Sequence, residues 1–209
     1  MIVVFLSPPG GGKGTQAPRL ARQIGAEHLS TGVIFRSMYE ANDPLGIKAH
    51  DEYWGKGQLC PDGITIPLVE KKLAELEGAV LDGFPRNIAQ AEALDRMVKV
   101  DAVVSLSITE QTALERLGYR AECKACNITY GLANKPLNKG ECNSCHGQLN
   151  MRNDDADAAI IRQRFEQYET KTKLLLEYYR KNGNLHEIDG NQDPERVYVD
   201  ILRALRLDA

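Results

Sequence analysis

The sequence predicts an α/β protein in which helices cover both faces of a parallel sheet. The chain begins with a short apolar run, IVVFL at 2–6, which a glycine-rich loop and a helical pattern follow. Further strand-like runs then alternate with helical stretches along the 209 residues, as in sheets whose crossovers are helices. One segment, 119–153, breaks the alternation and reads as a small insert rich in Gly, Asn, Lys and Cys.

The first element is predicted to be a strand buried on both faces, because IVVFL is continuous, apolar and rich in β-branched residues. A helix is expected after it, with Leu20 and Ile24 at helical spacing and Gly25 at its end. Further strands are predicted at 78–82, 101–108 and 184–189, and a long helix from about 156 to 181. A last helix follows Asp193, which would cap it, with Pro194 in its first position.

The loop between the first strand and helix, SPPGGGKGT, has the composition of a phosphate cradle. Glycines let backbone N–H groups approach phosphate oxygens, and the helix start adds partial positive charge. It departs twice from the pattern G-x-x-x-x-G-K-[ST], because Ser7 replaces the first glycine and Gly14 replaces the magnesium-binding hydroxyl residue. A flexible loop with a solvated lysine is the alternative, and the fitting strand and helix argue against it.

Two Cys-x-x-Cys pairs in the insert predict a metal site. Fifteen residues separate the first pair from the second, and their members are Cys123, Cys126, Cys142 and Cys145. Four thiolates around Zn²⁺ would order a segment with little apolar core, and such a site also accepts Fe or Co. Two disulfides or unrelated thiols are the alternative, and His146 could substitute as a ligand. Cys60 stands apart and is interpreted as a packing residue.

Composition sets limits on the function. The chain is 43% hydrophobic and 26% charged with a net charge of −3, so it lacks the general basic character of a nucleic-acid-binding protein. No apolar run approaches the roughly 18 residues of a membrane span, and the N-terminal residues do not resemble a signal peptide. We therefore expect a cytoplasmic protein, in which cysteines are normally reduced.

Four motifs together resemble one family. GGGKGT, STGVIFR at 30–36, LDGFPRN at 81–87 and the four-cysteine insert are similar to the adenylate kinases, in their long bacterial form with a metal-bound lid, over essentially the whole chain. The resemblance implies a core around a five-stranded parallel sheet, at 1–29, 61–118 and 156–209. It also implies an AMP-binding flap at 30–60, a lid at 119–155 and a protein that is commonly monomeric. The implied reaction is ATP + AMP ⇌ 2 ADP with Mg²⁺.

The resemblance also implies roles for individual residues. ATP-binding positions would be Gly10, Gly11, Gly12, Lys13, Gly14, Thr15, Arg116, Arg120, Thr129, Tyr130 and Gln192. AMP-binding positions would be Thr31, Arg36, Gln58, Leu59, Cys60, Gly83, Phe84, Pro85, Arg86, Gln90, Arg152 and Arg164. The catalytic set would be Lys13, Asp82, Arg86, Arg120, Arg152 and Arg164.

Three positions bear on these roles: Gly14, Val33 and Arg164. Gly14 is normal in the family, so magnesium would be held by phosphate oxygens and by water that Asp82 orients, with Asp154 and Asp155 as second choices. Val33 stands where the family usually has Asp. One extra residue precedes RFEQY, so Arg164 is the choice for the last arginine, with Arg162 as the fallback.

The sequence leaves four alternative functions open. A UMP or CMP kinase of the same fold would usually carry Ala for Thr31 and Asn for Gln90, and a GTP-using relative is less easily excluded. A nucleic-acid-binding zinc ribbon would need a basic, aromatic-rich insert. A redox protein would show one reactive Cys-x-x-Cys pair at a helix start.

Overall fold

The computed structural model describes residues 1–123, 125–126, 128–131, 135–151, 155 and 157–207. The strands are β1 Ile2–Leu6, β2 Glu27–Ser30, β3 Ala79–Asp82, β4 Ala102–Ser107, β5 Ala121–Cys123, β6 Thr129–Tyr130, β7 Leu149–Met151 and β8 Leu185–Asp189. The α-helices are α1 Lys13–Gln23, α2 Thr31–Glu40, α3 Pro44–Glu52, α4 Asp62–Leu73, α5 Ile88–Met97, α6 Glu110–Gly118, α7 Ala158–Gln167, α8 Leu174–Lys181 and α9 Pro194–Ala204. A 3₁₀ turn lies at Trp54–Lys56.

Five strands form one parallel sheet in the order β2-β3-β1-β4-β8. This confirms the α/β fold class and the four strands predicted from apolar runs. The fifth strand, β2, was missed by the strand analysis because its sequence EHLS offers no apolar run. It lies at the edge, with only Leu29 and Ser30 buried. Because the strands are parallel, all their carboxyl ends meet at one edge of the sheet.

Helices cover both faces of this sheet. Val3 and Phe5 of β1 contribute to one apolar cluster, whose helical partners are on α1 and α9. Val4 and Leu6 point to the other face, where α4, α5 and α8 complete the larger cluster. All five residues of β1 are buried, as predicted for a strand in the middle of three layers.

The cysteine-bearing insert forms a second, antiparallel sheet in the order β6-β5-β7. Its apolar cluster is small: buried Cys123, Tyr130 and Cys142 pack with Cys126, Ile128 and Leu149. A sheet of eight strand residues with so little apolar material needs another source of stability.

The long helix predicted over 156–181 is interrupted. A π-helical turn, Tyr168–Thr172, separates α7 from α8, and the backbone N–H of Lys173 donates to the carbonyl of Tyr168 at 2.8 Å. Thr170 Oγ1 donates to the carbonyl of Glu166 at 2.6 Å, which competes with the regular helical bonds. The turn brings Thr172 inward, where it is buried and donates to the carbonyl of Arg86 at 3.0 Å.

The predicted cap of the last helix is confirmed, since Asp193 accepts from the N–H of Glu195.

Within the part of the chain that the structure describes, no helix has both the length and the apolar character to cross a lipid bilayer.

Helices α2 and α3 pack so closely that Gly46 is required between them. A Cβ on Gly46 would lie 2.4 Å from the carbonyl carbon of Met38 and from the backbone nitrogen of Tyr39. Backbone atoms cannot move aside as flexible side chains can, so the two helices would have to separate.

We predict that Gly46→Ala lowers the free energy of unfolding by about 1–3 kcal/mol through overpacking. Gly63→Ala in α4 is the control, because a Cβ there meets no atom within 4 Å. Alanine is the better helix former by up to about 1 kcal/mol, so the control variant should equal or exceed the wild type. Urea unfolding of the three proteins measures the difference, and equal midpoints for the two variants would contradict the close packing.

Candidate active site

A cavity opens at the carboxyl edge of the large sheet, between the sheet and the α2–α3 segment. It has a volume of about 1050 Å³ including its open mouth. Eleven of the predicted site residues line it: Lys13, Thr31, Arg36, Gln58, Leu59, Cys60, Gly83, Pro85, Arg86, Gln90 and Arg164. Phe84 lies beneath, fully buried in the core. Arg162 does not line this cavity, so the geometry favours Arg164 as the inward-facing arginine.

The glycine loop ends β1 and starts α1 directly. Gly12 has a left-handed backbone (φ 94°) and no side chain caps the helix, so the first turn presents backbone N–H groups to the loop. Gly10 is also left-handed (φ 79°), and a Cβ there would lie 2.8 Å from the carbonyl of Ala113 on α6. Gly14 and Thr15 form the first turn of the helix. The loop therefore has the backbone of an anion-binding site.

Lys13 lines the cavity and interacts with the charge of Asp82, which ends β3. Burial lowers the pKa of Lys13 to about 7, with Asp82 opposing this and the arginines 86, 164 and 120 adding to it. Burial alone would raise the pKa of Asp82, but the imidazole of His28, 3.8 Å away, and the charge of Lys13 lower it to about 2. Asp82 is consequently an anion at neutral pH, among cations that would otherwise repel one another.

The turn after β3 carries Arg86 into the cavity. Gly83 has φ 85°, and its carbonyl accepts from Thr31 Oγ1 and from Arg86 Nε, both at 2.9 Å. A Cβ on Gly83 would lie 2.8 Å from Thr31 Oγ1 and 2.9 Å from Arg86 Nη2, so glycine is required here. The Phe84–Pro85 peptide is cis. Together these contacts fix the guanidinium beside the hydroxyl of Thr31.

Gln90 is held in one orientation by two neighbours. Its Oε1 accepts from the N–H of Arg86 at 2.8 Å, and its Nε2 donates to Asp62 Oδ1 at 2.7 Å. Asn87 Nδ2 donates to the same Asp62 oxygen at 2.9 Å. A carboxamide has two N–H groups and two lone pairs, so Gln90 keeps one donor and one acceptor for a further partner.

Two of the arginines share one carboxylate. Asp155 has no exposed side-chain surface, and its oxygens accept from Nε and Nη2 of Arg120 and from Nη1 of Arg164, each at 2.6 Å. Such forked, charge-assisted bonds hold the planes of both guanidinium groups. Asp155, a second choice for orienting magnesium-bound water, serves here as the anchor of two cations. Asp154 and Arg152 lie outside the described residues.

A third arginine meets the insert. Arg36 on α2 donates through Nη2 to Glu122 Oε1 on β5 at 3.2 Å, and both side chains are largely buried. The contact spans 86 residues of sequence and joins the α2–α3 segment to the small sheet.

The remaining ATP-side predictions lie around the mouth of the glycine loop or beyond it. Thr129 Oγ1 would be 3.7 Å from a Cβ on Gly14, so the small sheet approaches the loop. Arg116 on α6 interacts with the charge of Asp189. Gln192 turns its amide toward the carbonyl of Asp189 and Asp200 Oδ2. Tyr130 is buried among the cysteines, with its hydroxyl 3.3 Å from Cys142 Sγ, and its predicted contact with ATP stays a prediction.

The four predicted metal ligands converge. The sulfurs of Cys123, Cys126, Cys142 and Cys145 lie within 4.8 Å of one another, and none of the five cysteines is in a disulfide. Close pairs are 3.4–3.5 Å apart. A tetrahedron with Zn–S bonds of about 2.3 Å requires sulfur separations of about 3.8 Å, so the cluster fits such an ion with small adjustments. His146 is turned toward Glu141 instead, at 2.6 Å.

The hydroxyl of Tyr130 supports this cluster. It lies 3.3 Å from Cys142 Sγ and accepts from the N–H of Asn143 at 2.8 Å. A phenol in this position can donate to a metal-bound thiolate, as groups around metal ligands commonly do.

Comparison with known proteins decides the family. The family model described as adenylate kinase matches residues 5–184. The curated adenylate kinase of Archaeoglobus fulgidus is 40% identical over 210 residues, which cover 96% of both chains. That of Desulforudis audaxviator is 41% identical over 214 residues, covering 98% of this chain and 99% of its own. The chain belongs to the adenylate kinase family. It is therefore a nucleoside monophosphate kinase, and the resemblance in the sequence is confirmed.

Sequence reasoning missed several residues of this kinase site. Trp54, Tyr168 and Thr172 also line the cavity, and Asp62 and His28 support Gln90 and Asp82 from behind. No sequence pattern near these residues predicts their position, because each reaches the cavity only when distant segments of the chain fold together. Asp62 is the partial exception, since an acidic residue at a helix start is a familiar pattern.

We predict that the metal is structural, because the small sheet has little other core and metal binding contributes directly to folding at such sites. Chelation under reducing conditions should melt the small sheet at a lower temperature than the large one, and Cys142→Ser should do the same. Cys60→Ser is the control for metal content, since Cys60 lies outside the cluster.

Elemental analysis and thermal unfolding of metal-loaded and metal-free protein measure this effect. If metal removal abolished phosphoryl transfer while the thermal transitions stayed unchanged, the site would be catalytic and the structural assignment would be wrong.

Proposed function

We propose that this kinase transfers the γ-phosphoryl group of ATP to AMP, reversibly and with Mg²⁺, by in-line attack of the AMP phosphate. One observation carries the proposal. Lys13, Arg86 and Arg164 line the same cavity as the neutral groups of Thr31 and Gln90. The three cations would bind the phosphates of both nucleotides, and the oriented amide of Gln90 would bind the base of the acceptor.

The donor phosphates are assigned to the glycine loop. Backbone N–H groups at the start of α1 would contact phosphate oxygens, and Lys13 would reach the transferred group. Mg²⁺ would enter with ATP and neutralise developing charge on the phosphates. Gly14 offers no hydroxyl ligand, so we assign the orientation of magnesium-bound water to Asp82, which is ionised and lies beside Lys13.

The acceptor phosphate is assigned to Arg86, Arg36 and Arg164. A phosphate monoester has a second pKa of about 6, so AMP is mostly dianionic at neutral pH and needs no general base. Phosphoryl transfer depends on positioning and charge stabilisation, which forked arginines supply. Arg120 and Arg164 already lie together on Asp155, so one carboxylate aligns two of the required cations before the nucleotide arrives.

The segments 30–60 and 119–155 are proposed to act as the acceptor-binding flap and the donor-side lid. Arg36 and Glu122 provide a contact between them, and Thr129 approaches the glycine loop from the lid. Closure of the two segments would exclude water, which could otherwise accept the phosphoryl group. We further expect the protein to act as a cytoplasmic monomer, with Zn²⁺ as the default lid metal.

The test is ADP formation by purified protein from ATP and AMP with Mg²⁺, followed by a coupled assay. A nucleic-acid-binding ribbon or a redox protein would give none. Replacing ATP by GTP in the same assay distinguishes the GTP-using relative.

We predict that Lys13→Ala and Arg86→Ala each lower kcat/KM by roughly 10² or more, because each removes a partly buried cation from a phosphate. Lys72→Ala and Arg96→Ala are the matched controls, since both side chains are exposed on the outer surfaces of helices. Near-normal kinetics in either site variant, with an unchanged circular dichroism spectrum, would remove that residue from the active site.

Acceptor specificity should depend on Gln90. The amide presents one free donor and one free acceptor, which suit the edge of adenine and leave UMP, CMP and GMP mismatched. We expect AMP to exceed these acceptors by about 10²-fold or more in kcat/KM, and Gln90→Leu to erase most of that margin. Equal rates with AMP and UMP for the wild type would overturn the assignment of the acceptor base.

A further inference from the structure

Ser7 follows the last residue of β1 and contacts the lysine of the glycine loop. It stands where the phosphate-loop pattern has glycine, and it is 5% exposed. Lys13 Nζ donates to Ser7 Oγ at 2.7 Å and to the Ser7 carbonyl at 3.0 Å. A glycine in this position could offer the carbonyl alone.

The hydroxyl of Ser7 is itself fixed. Its proton is donated to the carbonyl of Pro8 at 2.9 Å, which leaves a lone pair directed at Lys13. The Pro8 carbonyl also accepts from the N–H of Gly11 at 3.1 Å, closing the turn. A Cβ on Gly11 would lie 2.3 Å from Ser7 Oγ and 2.5 Å from Ser7 Cβ. The side chain of Ser7 therefore fits only because residue 11 is a glycine.

We propose that Ser7 is a positioning residue, which holds the ammonium of Lys13 for the phosphate of the donor nucleotide. Two of the three N–H groups of Lys13 are bonded to the oxygens of Ser7, so the third keeps a defined direction for a phosphate oxygen. The inference rests on the proposed function, because it assumes that Lys13 contacts the transferred group. Preorganised donors of this kind lower barriers because they need no reordering during the reaction.

The hydroxyl should also favour the charged form of Lys13. An acceptor bonded to an ammonium stabilises the protonated form, so its loss should lower the pKa of Lys13 below its present value of about 7. The charged groups that act on Lys13 are Asp82, which raises its pKa, and the arginines 86, 164 and 120, which lower it. Without Ser7 Oγ, one fewer group would oppose the lowering of the Lys13 pKa by the three arginines.

The first experiment compares Ser7→Ala with wild type for kcat and for KM of ATP and AMP between pH 6 and 9. Ser105→Ala is the control, since Ser105 is equally buried in β4 and lies outside the glycine loop. We expect kcat/KM for ATP to fall by on the order of tenfold at pH 8 and less at pH 6. Its alkaline limb should move to lower pH, while the KM for AMP stays within about twofold. An unshifted limb, or a loss equal at all pH values, would overturn the proposal.

A second experiment needs no turnover. Binding of a non-hydrolysable ATP analogue is measured for Ser7→Ala, Lys13→Met and the double variant. If Ser7 acts through Lys13, its substitution weakens binding in the wild type and has no effect in the Lys13→Met background. An equal effect in both backgrounds would show that Ser7 acts on the loop and not on the lysine.

The pH dependence of Lys13 acylation, followed by mass spectrometry of the peptide, completes the test. The acylation midpoint of Lys13 should move to lower pH in Ser7→Ala, and an unchanged midpoint would contradict the proposal. This measurement also distinguishes failure of the proposed function from failure of the role proposed for Ser7. Absence of ADP formation by the wild type would refute the proposed function, whereas an active wild type with an unchanged Lys13 midpoint in Ser7→Ala refutes the role of Ser7 alone.

Discussion

Repulsion among cations is the constraint on which this site depends. Lys13, Arg86, Arg120 and Arg164 are close enough that the three guanidinium groups each lower the pKa of the lysine. Two carboxylates oppose that repulsion: partly buried Asp82 at the end of a strand, and buried Asp155 between two arginines. A charge left unpaired in such a place would be costly, so the anions stabilise the site until phosphates bind.

Most of this arrangement is built on rigid elements that meet at one edge of the sheet. Asp82 ends β3, Lys13 begins α1, and Arg86 lies in a turn that Gly83, Gln90 and Thr172 secure through hydrogen bonds. Neutral groups therefore fix the position of Arg86, whereas a carboxylate fixes Arg120 and Arg164. This division suits a reaction in which positions and charges supply most of the catalysis.

The parts of the molecule that could be predicted are those with a local signature. The buried strand IVVFL, the glycine loop and the paired cysteines each carry their signal within a few residues. The edge strand β2 could not be found by its apolar pattern, because half of it faces solvent and pairing with β3 makes it a strand. The π turn, the Asp62–Gln90 bond and the arginine pair on Asp155 depend on chain segments brought together only by folding. The family resemblance supplied the proposed roles of residues, which spacing alone would not have given.

Two adjacent residues of β5 make contacts on opposite faces of the strand. Side chains of consecutive strand residues leave opposite faces, so Cys123 joins the sulfur cluster while Glu122 contacts Arg36 on α2. The cysteine cluster and the contact to Arg36 therefore depend on two adjacent residues of the same short strand. If a metal at the cysteines orders β5, as we propose, its loss would also weaken the ion pair between Glu122 and Arg36, and with it the link between the small sheet and the α2–α3 segment.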